Sequence, residues 1–420
     1  MRPSFAKPST RGWLSLALGG MLLASCGAPN PNPSGVSQLP ARSASPTTAV
    51  SATRLPTPSA IPTPSATPVP TPKPTWQPAA QLGKPGTWTT VLGIAHGSRG
   101  YLAYGHQAPL NESGVATGSG RNVMWLSDDA LSWHRTPIPA RIRFAEVRGV
   151  LVASNGAFVL FANGSPAFAA VRHYVIYSAD GRHHWTAASL DQQQYGVIAK
   201  AVTWGKGYAF LEPLARSPAR LFNSKSGLAW HEGLYYHAGT YQTTIYDIGG
   251  GDEGMVMLGH RILSSGQQFE IATATSTGAR DEWAERRNPF GKVTAAATRL
   301  TSLGPDWVAV RRQADGTAQF WTSANGLDWT ATGTVRRSTR VGPGDALFTV
   351  GDMVYFAPGS ERALFPYQKS GPTWSSGDGA TWRRLALPPG ATVTSGIAYD
   401  GGTLLAGVDG DGRGTFWVAP

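Results

Sequence analysis

Three kinds of side chain in this sequence could do chemistry, and each demands its own arrangement. General acid–base work needs two carboxyls about 5–10 Å apart. Glu146, Glu212 and Glu361 are the loop carboxylates that would have to supply it, and none has a recognisable partner nearby in the chain. Arginine forks suit carboxylate, sulfate or phosphate, while tyrosine rings stack on sugars or peptides. Arg143, Arg286, Arg287, Arg336, Arg337 and Arg340, with Tyr235 and Tyr236, form that second set. The third kind is one thiol, Cys26, which has no second cysteine with which to close a disulfide. The histidines make no metal set: His183-His184 share a turn, and His134 and His231 each follow a tryptophan on a strand. Neither a metal nor a cofactor is expected.

Composition limits what can position these groups. Glycine (51) and tryptophan (15) are frequent and charge is sparse at 15%, which points to short strands and many turns rather than long amphipathic helices. The net charge of +11 is misleading as a whole. Residues 1–80 carry Arg2, Lys7, Arg11, Arg42, Arg54 and Lys73 and no acid, which leaves 30 basic against 25 acidic residues beyond them. That small surplus excludes a nucleic-acid-binding domain.

Arg2, Lys7 and Arg11 precede the apolar run Trp13–Leu23, which has the length of an export signal and is too short to span a bilayer comfortably. The run ends in Leu23-Ala24-Ser25-Cys26, which resembles the lipobox of bacterial lipoproteins. The resemblance implies diacylglyceryl transfer to the Cys26 thiol and cleavage before it. Acyl chains contributing about 0.8 kcal/mol per buried methylene would make a durable anchor. Residues 28–80 follow, rich in Pro, Ser, Thr and Ala, with prolines from Pro56 to Pro74 mostly beside Thr or Ser. Such a stretch cannot bury enough surface to fold and favours extended polyproline II. At about 3.1 Å per residue its contour approaches roughly 150 Å. The expected organisation is a signal peptide at 1–25, a lipid-anchored linker at 26–80 and a folded domain at 81–420. The expected location is the cell membrane, on its extracytoplasmic side.

Self-similarity governs the folded part. An aromatic residue, a serine, a turn with Asp, Asn or Gly, and a tryptophan recur six times. The copies run from Ser127 to Trp133, Ser178 to Trp185, Ser224 to Trp230, Ser276 to Trp283, Ser323 to Trp329 and Ser376 to Trp382. An Asp or Asn can bond the backbone of a tight turn, Gly supplies a positive φ, and the Trp packs the hairpin. Ahead of each copy lies an apolar hairpin. Its turns fall at Ser98–Gly100, Ser154–Gly156, Gly205–Gly207, Asp252–Gly254, Gly304–Asp306, Gly351-Asp352 and Asp400–Gly402. Seven hairpins against six tryptophan phrases predict one unit split between the termini. The strand Thr415–Ala419 would then be completed by Pro85–Thr89, with Trp88 as the seventh tryptophan.

These phrases resemble the Asp-box, or BNR repeat, of the sialidase-like superfamily, and the Ser376–Trp382 copy matches it fully. The resemblance implies an all-β, seven-bladed β-propeller of four-stranded blades whose boxes are structural. Closure by the N-terminal strand leaves no open ring edge. Strand order puts the hairpin turns and the boxes on one face. The opposite face holds the longer loops (105–122, 134–147, 231–245, 259–270, 284–297, 330–345 and 357–373) and is the expected binding face. In the blade-to-blade loops the cations Arg135, Arg141, Arg143, Arg286, Arg287, Lys292, Arg336, Arg337, Arg340, Arg383 and Arg384 stand against Glu146, Asp191, Glu232, Glu285 and Asp345.

Sialidases carry a Phe/Tyr-Arg-Ile-Pro motif before the first box. Val91–Asn122 has none, and Ala140-Arg141-Ile142-Arg143-Phe144 is a poor echo in the wrong place. In architecture the chain also resembles the photosystem II assembly factors, which implies a basic face that holds a protein. The expectation is a monomeric binding or assembly scaffold for a protein or anionic glycan, attached to the membrane by its lipid. The alternative is a glycoside hydrolase, sialidase-like or glucan-degrading.

Overall fold

The computed structural model describes residues 76–419 apart from 115, 118–119, 144, 165–171, 191–195, 213–218, 235–241, 277–281, 291–297, 314, 337–344 and 360–370. It is all-β, with seven four-stranded antiparallel blades and one turn of 3-10 helix at Ala140–Ile142. Blade one is Thr87–Gly97, Gly100–Pro109, Arg121–Ser127 and His134–Thr136. Blade two is Glu146–Val152, Phe158–Asn163, His173–Ser178 and Thr186–Ala187. Blade three is Lys200–Trp204, Gly207–Glu212, Arg220–Ser224 and Ala229–Leu234, and its outer edge is partly covered by Ser189–Leu190 in parallel. Blade four is Gln242–Gly251, Gly254–Ile262, Gln268–Thr275 and Ala284–Arg287. Blade five is Thr298–Leu303, Asp306–Arg312, Ala318–Ser323 and Thr330–Val335. Blade six is Ala346–Val350, Met353–Ala357, Trp374–Ser376 and Arg383–Arg384. Blade seven takes Thr392–Tyr399, Gly402–Val408 and Gly414–Ala419 from the C-terminus and Gln77–Leu82 from the other end of the chain. Each innermost strand lies beside those of both neighbours, blade seven's beside blade one's, so the ring is closed.

All seven hairpin turns form where the sequence places them, from Gly97 opposite Gly100 to Tyr399 opposite Gly402. The closing strand does not. It is Gln77–Leu82, with Gln77 opposite Val418 and Leu82 opposite Gly414. The stretch expected to do this, Pro85–Thr89, leads instead into the innermost strand of blade one. The seventh tryptophan is therefore Trp76 rather than Trp88, and residue 80 falls inside a strand. A proline within Gln77–Leu82 disguises it, yet proline is tolerated on an outer edge, where its missing N–H has no ladder partner to serve.

The core shows why Trp76 belongs there. Among the described residues, apolar side chains form seven clusters, one between each pair of neighbouring blades. Each turn tryptophan packs toward the preceding blade. Trp133 stacks on Phe416 of blade seven at 4.2 Å, Trp382 on Phe320 of blade five at 3.8 Å, and Trp230 meets Phe161 of blade two edge-on at 5.5 Å. Trp76 does the same for blade seven, buried with Val350 and Tyr355 of blade six. A buried large side chain contributes roughly 1.5–3 kcal/mol, so each turn tryptophan fastens two blades.

The serine phrases fold as tight turns that the carboxylate closes upon itself. Asp378 Oδ1 accepts from the Ser376 hydroxyl at 2.8 Å and from the backbone N–H groups of Ala380 and Thr381 at 2.8 and 2.6 Å. Asn325 makes the equivalent bonds to Leu327 and Asp328, and Asp129 to Leu131 and Ser132. The next residue lies at positive φ, Gly379 after Asp378, Gly326 after Asn325 and Ala130 after Asp129, and at Gly326 (φ 72) a Cβ would sit 2.1 Å from Val256 of the preceding blade. Where the acid is missing, Ser226 stands in its place and accepts from Leu228 N–H at 3.2 Å.

Candidate functional site

Antiparallel order puts the hairpin turns and the serine turns on one face, joined to one another across blades. Ser98 N–H donates to Gly156 O, Ser154 N–H to Ser226 O and Gly205 N–H to Gly251 O. The opposite, loop face carries the sequence-derived candidates. Glu146 opens blade two, exposed, and pairs with Arg148 at 2.8 Å. Glu212 ends the second strand of blade three and is fully buried. His173 Nδ1 lies 2.5 Å from one of its oxygens and Arg220 3.1 Å from the other, with His173 edge-on to Phe210 and Phe222. Glu361 lies outside the described residues. The two described carboxylates sit in different blades on different cations, and neither is offered a second carboxyl.

Three further loop-face carboxylates are buried: Asp247 and Glu270 went unnoticed in the sequence, and Asp345 was read there only as one of the loop acids. Asp247 binds Lys200 at 3.0 Å and accepts from Leu300 N–H at 2.7 Å, which ties the inner strands of blades three, four and five together. Glu270 accepts from the Tyr246 hydroxyl, and Arg311 of blade five lies 3.8 Å away. Burial pushes the Glu270 carboxyl above its ordinary range against the pull of Tyr246 and Arg311. Burial, then the charge of Glu270, raises Tyr246 well above the ordinary phenol. Asp345 accepts from Arg312 at 2.7 Å and from Gly359 N–H at 2.8 Å. The partners come from other strands, 14 to 53 residues away, so no local signal could have revealed them.

The arginines divide. Arg143, after the 3-10 turn, and Arg336, after the outer strand of blade five, are exposed. Arg286 reaches Asp328 in the serine turn of blade five at 2.5 Å, a contact between blades on the turn-face side. The Arg287 guanidinium lies over the Phe269 ring at 5.2 Å. Tyr235, Tyr236, Arg337, Arg340 and Cys26 lie outside the described residues. Among the described residues no three His, Cys, Asp or Glu side chains gather as metal ligands, and no helix is long and apolar enough to cross a membrane.

Two recesses open on the turn face rather than the loop face. One, of about 250 Å³, lies between blades four and five and is lined by Glu253, Glu282, Trp307 and Asn325. The other, of about 370 Å³, lies between blades five and six beside Asp306, Asp328 and Asp378. From blade four to blade seven the described turns expose eight acids and no lysine or arginine.

No family model matches the chain, and no curated protein is significantly similar to it. Among solved structures, "YCF48 bound to D1 peptide" is 13% identical over 83% of this chain and 97% of that one, with a TM-score of 0.49. A chain of "Crystal Structure of Mitotic Checkpoint Complex" is 11% identical over 85% and 99%, with a TM-score of 0.47. A protein of unknown function from Dyadobacter fermentans DSM 18053 is 12% identical over 83% and 100%, with a TM-score of 0.42. At such identities none of them bears on what this chain binds.

Proposed function

We propose that this chain is a lipid-anchored, extracytoplasmic β-propeller that acts as a binding or assembly scaffold, its loop face taking a protein or an anionic glycan. The reading takes the serine turns as Asp-boxes and Leu23–Cys26 as a lipobox. One observation carries the choice of a scaffold over a hydrolase. Every buried carboxylate described on the loop face is held by a cation, hydroxyl or backbone N–H of the fold, whereas Arg141, Arg143 and Arg336 are exposed. Surface arginines beside committed acids favour anionic partners and offer no acid–base pair.

Retention of the mature chain on immobilised heparin and on an acidic peptide tests the face. Reversing Arg143, Arg336, Arg337 and Arg340 to Glu should abolish retention and leave folding intact. Unchanged retention, or turnover of a fluorogenic sialoside or glucan that depends on Glu146, would refute the proposal. The anchor has its own test: Cys26→Ser should move the protein from the membrane fraction to the soluble one.

A further inference from the structure

The strand register shows why the two turn-face recesses form where they do. In each of blades one to five, a residue of the third strand close to the serine turn is paired with one of the outer strand. Blades one, two and three fill this row with Leu126 and His134, Tyr177 and Thr186, and Asn223 and His231. Blade four has two alanines there, Ala274 opposite Ala284, and blade five two threonines, Thr322 opposite Thr330. The alanines line the recess of about 250 Å³ between blades four and five, and the threonines line its neighbour of about 370 Å³. Both recesses therefore occupy space that larger side chains fill in the first three blades.

The smaller recess has walls of two kinds. Met255, Val256 and Trp307 form an apolar floor. The Trp307 indole is seated against Gly249 and Gly251, where a Cβ would lie 3.0 and 3.4 Å from its ring. Glu253 from the hairpin turn, Glu282 from the serine turn and Asn325 of blade five complete the lining. Gly254 holds the two turns of blade four together, since a Cβ there would sit 2.1 Å from the Thr275 carbonyl oxygen. Glu253 and Glu282 are exposed, and neither has a hydrogen bond or ion pair among the described residues. They differ in this from Asp129 and Asp378, whose oxygens are taken up by their own turns. In the neighbouring recess Asp306 is likewise unpaired, while Asp328 holds Arg286. Ala324 and Asn325 are a wall common to both.

An apolar floor beneath unpaired carboxylates fits a long cationic side chain, whose methylenes cover the floor while its charge stays at the rim. The smaller volume lies below the roughly 300–1,000 Å³ of pockets that enclose whole small molecules, so it suits one side chain. A second recess across a shared wall suits a second. We propose that the turn face of blades four to six docks an extended basic segment of a partner protein. One lysine or arginine enters the recess lined by Glu253 and Glu282, and another enters the recess beside Asp306. The inference goes beyond the reading of the loop face and does not depend on it.

A fluorescein-labelled peptide of alternating lysine and glycine, about ten residues long, should bind the mature chain saturably in anisotropy titrations, and more weakly as salt is raised. The same peptide with acetylated lysines keeps the stems without the charge and should not bind. E253Q/E282Q should weaken binding about tenfold or more. Ala274→Leu keeps every carboxylate and gives blade four the side chain that Leu126 supplies in blade one. By filling the recess it should weaken binding as much. Should that variant fail to fold, Ala284→Leu fills the same recess from the exposed outer strand. Asp400→Asn, on the same face in blade seven, should change the affinity less than about twofold. No saturable binding by the unaltered chain, or equal binding of the acetylated peptide, would overturn the proposal. So would loss of binding in E253Q/E282Q with full binding in both filled variants, because the acids would then act as a diffuse field and not as a recess. Binding at least about tenfold tighter in R42Q/R54Q/K73Q than in the unaltered chain would also overturn it, by making the chain's own linker the occupant.

Discussion

The two faces of the ring use carboxylates in opposite ways. On the turn face Asp129 and Asp378 are exposed and spend their oxygens on the backbone of their own turns. On the loop face Glu212, Asp247, Glu270 and Asp345 are buried and bind partners from other strands or blades. A carboxylate that closes a local turn needs no distant partner and can stay in water. One that is buried must be matched by a cation or donor, because an unpaired buried charge is costly. The faces therefore differ in how these acids are spent: in water on their own turns at one face, and buried on groups from other strands at the other.

The largest expected effect would break the loop-face half of this contrast. Glu212→Ala leaves His173 and Arg220 without their shared anion and should cost roughly 3–5 kcal/mol, read from the denaturant midpoint at unchanged m-value. A loss below 1 kcal/mol would mean that the trio is not what holds blade three to blade two. Trp76→Ala removes the apolar lock beneath the turn face and should cost about 3 kcal/mol, with protease cleavage starting at the N-terminal strand. Asp378→Ala should cost about 1–2 kcal/mol, and Asp378→Asn less, since the amide keeps the acceptor that Asn325 uses in its own turn.

Acid titration sharpens the contrast by sign. The Asp129 and Asp378 carboxyls are held below the ordinary aspartate range, chiefly by the backbone N–H groups of Ser132 and Thr381 respectively. At Asp180 burial pushes upward, but the N–H groups of His183 and Arg182 together outweigh it. A depressed folded pKa contributes stability above the unfolded aspartate value, and this is lost as pH falls through the folded one. Glu270, raised by burial, acts in reverse: its contribution is present at low pH and is lost as pH rises through its folded value. Replacing the three aspartates by Asn should flatten the acid limb, whereas Glu270→Gln should leave that limb and remove a fall in stability as pH rises above it. The smallest effect belongs to the exposed pair that links blades four and five. Arg286→Ala should cost at most about 0.5–1 kcal/mol, and less at high salt, because water screens the pair.

Much of the ring was legible along the chain. Hairpin turns, glycines at positive φ and the Ser-x-Asp phrases are local devices, each set by a few consecutive residues, and they recur where the repeat puts them. Gln77–Leu82 was misread because an edge strand is made by its partner. Nothing in a Pro- and Ala-containing stretch announces a strand until Gly414–Ala419 lies beside it. The candidate residues were legible as types and not as roles. Glu212 and Glu146 both read as loop carboxylates, yet one is sealed with His173 and the other sits in solvent with Arg148.

Repeat count, turn chemistry and the apolar alternation of the strands belong to the sequence alone, because each depends on neighbours within one hairpin. Which carboxylates are spent, which arginines stay exposed, and that Trp76 closes the ring were decided only when seven hairpins packed side by side. Those outcomes depend on groups brought together from different blades, and for Trp76 and Gln77–Leu82 on strands from opposite ends of the chain.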